Sequence, residues 1–173
     1  MSGEQRVPVS IGIRLVSLIL GLGGLLGLVL TLWYEINLIL SRHGPFSLWN
    51  LLNGVFIAVF GWAVWAGGEL WQRKKRGLRM AQILFAMQTP MLQVPGFMYE
   101  FHTGLRVSVG LVSPARFTYS FHLGSWVTFY FSPEIQNFAV GINLVALLVL
   151  IYLLQRSRRL SAGARPGLPM RMG

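Results

Sequence analysis

Two histidines stand in matching frames. Phe97-Met98-Tyr99-Glu100-Phe101-His102-Thr103-Gly104 returns as Phe117-Thr118-Tyr119-Ser120-Phe121-His122-Leu123-Gly124, so both copies read F-x-Y-x-F-H-x-G. An imidazole can carry a proton near neutral pH or bind a metal. With Glu100, His43 and Glu35, the pair could form a His–His–carboxylate donor set. The spacing matches no ligand motif, so no metal is assigned. Glu35, His43, Glu100, His102 and His122 are instead expected as a polar outer cluster at turns or an interface. Glu35 follows Trp33-Tyr34, which places it near headgroup level beside Arg42 rather than deep in a proton pathway.

Other chemistry is absent from the sequence. There are no cysteines, which removes disulfides, thiolate metal sites and thiol nucleophiles together. No Ser–His–Asp order, phosphate loop or dinucleotide fingerprint is present, and Gly21-x-Gly23-Gly24 lies inside an apolar run. No catalytic residue and no cofactor is assigned.

The segment that positions the histidines alternates with period two. Phe97, Tyr99 and Phe101, then Leu105, Val107, Val109 and Leu111, then Phe117, Tyr119 and Phe121, then Val127, Phe129 and Phe131 fall on one face. This predicts strands. Each repeat closing on Ser-Pro predicts two β-hairpins turning at His-x-Gly, hence a four-stranded antiparallel insert over residues 97–133.

Around this insert the chain is strongly apolar. Hydrophobic residues make up 54% and charged residues 12% of 173, too much apolar surface for so short a chain to bury in water. Uncharged runs at 15–34, 44–68, 80–99 and 135–155 meet the length needed to cross a bilayer. The expected fold is therefore an α-helical membrane domain over 1–173. It has four transmembrane helices at about 15–37, 46–70, 78–95 and 135–155, with the β insert between helices three and four. Pro90 predicts a kink in the third helix and Pro95 its end. Gly23 and Gly27 have the spacing of a close helix contact.

Arg6, Arg14, Arg73, Lys74, Lys75, Arg76, Arg79, Arg156, Arg158, Arg159, Arg165 and Arg171 would share one side of such a bundle. The positive-inside rule makes that side cytoplasmic, with both termini on it. The net charge of +10 then reads as topology and contact with anionic lipid rather than nucleic acid, with residues 157–173 a disordered basic tail. A homodimer or a membrane-protein partner is the other expected contact.

The Gly-rich first helix, the basic 72–79 loop leading into Ala81-Gln82-Ile83-Leu84, the Leu123-Gly124-Ser125 step and Gly141-Ile142-Asn143-Leu144-Val145-Ala146 resemble small bacterial inner-membrane proteins of four helices. That resemblance implies a bacterial cytoplasmic membrane and no particular activity. The expected role is a non-enzymatic scaffold or interaction protein using the outer insert. The alternative is a small transporter or membrane enzyme with its site between the insert and the outer helix ends.

Overall fold

The computed structural model describes residues 10–41 and 48–163. Among them the chain forms helices α1 (Ile11–Ser41), α2 (Leu48–Trp71), α3 (Lys75–Gln88) and α4 (Leu144–Gly163). Six strands lie between α3 and α4: β1 (Pro90–Val94), β2 (Gly96–His102), β3 (Leu105–Val112), β4 (Arg116–Leu123), β5 (Trp126–Ser132) and β6 (Ala139–Asn143). All pair antiparallel in one sheet, in the order β4-β3-β6-β1-β2-β5. His43 and Arg42 lie outside the described residues, as do Arg6 and residues 164–173 of the expected tail. The part of that tail from Ser157 to Gly163 continues α4 as helix.

The four-span expectation is overturned. Only Ile11–Ser41 and Leu51–Trp71 are long and apolar enough to cross a membrane among the described residues. The third apolar run divides: α3 ends at Gln88 and a strand begins at Pro90. Fourteen helical residues rise about 21 Å, short of a ~30 Å hydrocarbon core. Pro90 therefore ends the helix instead of kinking it, and as first residue of a strand it owes no ladder bond there. Thr89 closes the helix by donating its hydroxyl to the Phe85 carbonyl.

The fourth run divides too. Residues 139–143 form β6, and Gly141 lies flat against Gly110 of β3. A Cβ on Gly110 would meet the Val140 carbonyl at 2.7 Å. Asn143 then starts α4, its side-chain oxygen accepting from the Ala146 amide, which is the N-cap role asparagine favours. From Leu144 to Leu154 the helix is apolar, but Arg156, Arg158 and Arg159 follow, leaving about half the length a span requires. An apolar run does not by itself distinguish a buried strand from a helix, and in both places strand pairing decides.

The predicted pair of hairpins is also corrected. Strands β2 and β3 do not pair with each other. Leu105 faces Leu123 in the β3–β4 ladder and His102 faces Trp126 in the β2–β5 ladder. The register therefore runs unbroken through residues 103–104 and 124–125. Residues 96–132 form one long hairpin with its tip at 113–115, bent at Gly104 and Gly124, where the Gly124 amide donates to the Gly104 carbonyl. Both glycines have positive φ, 82° and 142°, a region that L side chains avoid. Strands β1 and β6 fill the gap between the two arms, making six strands where four were expected.

The core sits where these parts meet. Helices α1 and α2 lie antiparallel, with Gly24 against Ala63 and Val64 and Gly27 against the Phe60 ring. Ser17 donates to the Gly67 carbonyl at 2.5 Å. Helix α3 returns along α2, where Gly77 lies on the backbone of Leu70. Leu20, Ala66, Leu84, Phe85 and Leu153 are fully enclosed. Tyr152 of α4 hydrogen-bonds Ser10 at 2.8 Å beside the start of α1.

Candidate functional site

The bend gathers the polar residues. In a flat strand, Glu100 and Arg106 would lie about 20 Å apart at ~3.3 Å per residue. Here they form an ion pair between the two arms. The rings of His102 and His122, equivalent in the repeat, stand 5.0 Å apart and edge to face. Arg106 also donates to Ser120 at 3.1 Å, and Ser120 bonds Ser108 at 2.6 Å. The ribbon is thus folded toward its polar face, around a hollow of about 140 Å³ that includes Glu100, Ser108 and Ser120 in its lining.

The environment of this cluster is uneven. His102 is 1% exposed whereas His122, on the outer strand, is exposed. Burial, with a smaller contribution from His122, pulls the His102 pKa down to about 4. Glu100 lies 3.5 Å from the His102 ring, but its charge is already matched by Arg106, so burial prevails and His102 is neutral. Neither His102 nitrogen, nor Arg106 Nε, nor Asn143 Nδ2 has a hydrogen-bond partner among the described residues. No group of three His, Asp or Glu side chains among those residues could hold a metal ion. Neither serine of the hollow hydrogen-bonds an imidazole, so no nucleophile–base pair forms there.

Of the five residues expected to cluster, the structure brings Glu100, His102 and His122 together. Glu35 stands apart on α1, accepting from Asn53 of α2 at 2.5 Å. Sequence reasoning missed Arg106 and Ser108, and it set Ser120 on the histidines' polar face without including it in the cluster. The signal was present: Arg106 and Glu100 share the even-numbered face on either side of His-x-Gly, opposite in charge.

The bend itself is held by two helices, α3 and α1. Gln88, at the end of α3, donates to the Thr103 hydroxyl at 3.0 Å and accepts from the Thr103 amide at 3.1 Å. Ser125 donates to the Gly23 carbonyl at 2.5 Å and accepts from the Gly104 amide at 3.2 Å. A Cβ on Gly23 would lie 2.7 Å from the Gly104 nitrogen. Gly23 thus serves close approach of the sheet to α1; Gly24 and Gly27 serve the helix contact.

The two arms bury their apolar faces differently. On the β2–β5 arm, Phe101 packs on Phe60 of α2 at 5.9 Å, and Tyr99 donates to the Met87 carbonyl of α3. On the β3–β4 arm the matching face is bare: Phe117 is 87%, Tyr119 90%, Phe121 70% and Leu123 76% exposed. Val109, Leu111, Val140 and Ile142, beside them on β3 and β6, are exposed too. Strand β4 also pairs on one side only.

The basic residues gather at the other end of the helices. Arg14 lies over the Trp71 ring at 5.7 Å, and Arg76 over Trp65 at 4.1 Å. Lys74 pairs with Glu69 at 2.8 Å. Arg73, Lys75 and Arg79 belong to the same α2–α3 junction, and Arg156, Arg158 and Arg159 follow Tyr152 beyond its contact with Ser10.

No family model, curated protein or solved structure matches the chain.

Proposed function

We propose that this chain is a bacterial inner-membrane protein, anchored by the α1–α2 hairpin, whose β ribbon presents its bare arm to a partner protein. Two apolar helices of sufficient length support the anchor. Lysines and arginines collected at one end of the helices support a cytoplasmic placement of that end and of both termini, in contact with anionic lipid. The sheet, which meets α1 at Gly23 and faces its later residues across a groove, then lies toward the outside.

The observation that carries the interaction role is the contrast between the arms. The same F-x-Y-x-F motif is covered in β2, where Phe101 and Tyr99 meet α2 and α3 and Phe97 meets Phe129 and Phe131 of β5, and is exposed in β4. An apolar face of this extent beside an unpaired strand edge marks a surface for another chain. The buried polar cluster favours a non-enzymatic reading: Glu100 and Arg106 satisfy each other and lock the bend, and Glu35 does not join them. The same separation counts against a transport or catalytic site between insert and outer helix ends, whose polar residues would have to converge.

The test is replacement of Phe117, Tyr119 and Phe121 together by serine. These side chains touch little of their own chain, so each change is expected to alter stability by under ~0.5 kcal/mol. Cross-linking of wild-type protein in native membranes is expected to give a protein adduct of defined mass, at twice the chain's mass for a second copy, that the variant loses. An adduct that survives the triple change contradicts the interaction role.

A further inference from the structure

A second concavity lies between the helix hairpin and the outer strand β5. It has a volume of about 690 Å³, walled by Gly27, Thr31 and Tyr34 of α1, Phe56 and Phe60 of α2, Ser125, and β5 from Trp126 to Tyr130. At roughly 30 Å³ per heavy atom, the share of a liquid water, it has room for about twenty. We propose that this groove holds one acyl chain of a bilayer phospholipid, with the lipid's polar end at Asn53 and Glu35. The inference rests on the membrane reading above.

Three observations select this occupant. The walls are predominantly apolar, and apolar surface is covered more favourably by a hydrocarbon chain than by water. The groove opens on the flank of α1 where Leu26, Leu30 and Trp33 are exposed, so it is continuous with the surface that lipid covers if α1 crosses the bilayer. Its polarity is graded. Gly27 and Phe60 close the deep end, while toward Trp33 and Tyr34 the lining includes Asn53, which donates to the Glu35 carboxylate. Trp and Tyr favour headgroup level. The groove follows α1 for ~16 Å, from Gly27 to Leu38, and the belt crosses it ~10 Å from the deep end, so an amphiphile would lie with its chain toward the bend and its head at that belt. The Glu35 carboxylate, next to Asn53, suits a headgroup carrying an ammonium.

The full chain, reconstituted in nanodiscs of palmitoyl-oleoyl phosphatidylethanolamine and phosphatidylglycerol, is released and examined by native mass spectrometry. Wild type is expected to retain one phospholipid per chain, with phosphatidylethanolamine preferred. Thr31→Trp, which fills the groove, is expected to lower that occupancy at least tenfold. Leu22→Trp, on the exposed flank of α1 outside the groove, is expected to leave it unchanged. If circular dichroism shows Thr31→Trp misfolded, Leu38→Trp fills the same groove and takes its place. Equal retention in wild type and a folded groove-filling variant overturns the proposal, as does retention of a free fatty acid alone. Carbonate extraction of the reconstituted chain separates the two readings. A chain that resists extraction but binds no phospholipid sinks only the groove. A chain that is extracted sinks the membrane reading and the groove with it.

Discussion

Arg106 and Glu100 close the ribbon on itself, and neither is more than slightly exposed, at 11% and 13% of the side chain. Breaking such a pair from one side leaves an uncompensated charge in a poorly solvated place. Arg106→Met is expected to cost on the order of 2–4 kcal/mol, and Arg106→Met with Glu100→Met to recover most of it, because removing both charges also removes their desolvation. Denaturant melts of the two variants check this. His102 adds a pH dependence with a definite sign. Its pKa falls from the ordinary 6.5 to about 4 on folding, so the unfolded chain binds the proton first. Stability from His102 is intact above pH ~6.5 and is lost as pH drops through the interval down to about 4. Around His102 stand His122 on β4, Glu100 on its own strand and Arg106 on β3. Melting midpoints of wild type between pH 7 and 4 are expected to fall more steeply than those of His102→Phe; parallel curves would remove His102 from the account. At this scale the repeat was legible, and with it the equivalence of the histidines. The partner of Glu100 was not, because Arg106 becomes its neighbour only once the strand folds back.

The bent hairpin shows what alternation can and cannot tell. Period two located residues 97–102, 105–112, 117–121 and 127–131 as strands and sorted their faces correctly. It left pairing open, since two hairpins turning at His-x-Gly and one hairpin bent there share the same alternation. The unbroken register decides for the second. The native chain has no cysteine, so engineered pairs report without background. Met98→Cys with Tyr130→Cys, directly opposite in the β2–β5 ladder, is expected to oxidise to a disulfide. Phe97→Cys with Val109→Cys, which share a face and are opposed only in the two-hairpin arrangement, is expected not to. Helix α3 and strand β6 were less legible, because Met80 to Tyr99 and Ile135 to Gln155 are apolar enough for lipid, and the pairing of β1 with β6 that divides them is long-range. Gly23→Ala belongs at this scale as well. Its Cβ would press on the backbone of the bend, and a loss of about 1–3 kcal/mol in thermal or denaturant unfolding is expected for such overpacking.

For the whole molecule, the apolar composition was legible as two long helices, and the clustering of basic residues as one end of the structure. The number of spans was not legible, because hydropathy counts residues without asking whether a sheet claims them. What results is a helix hairpin, two shorter helices braced against its basic end, and a sheet folded over its other half with one arm bare. The bare arm is the central claim, and a photo-reactive residue placed on it reads the claim directly. Benzoyl-phenylalanine at Tyr119, irradiated in native membranes, is expected to give a discrete protein–protein adduct. The same residue at Leu22, on the exposed flank of α1, is expected to give lipid adducts alone. If position 119 also yields only lipid, the bare arm is a membrane-contact surface and the interaction role is contradicted.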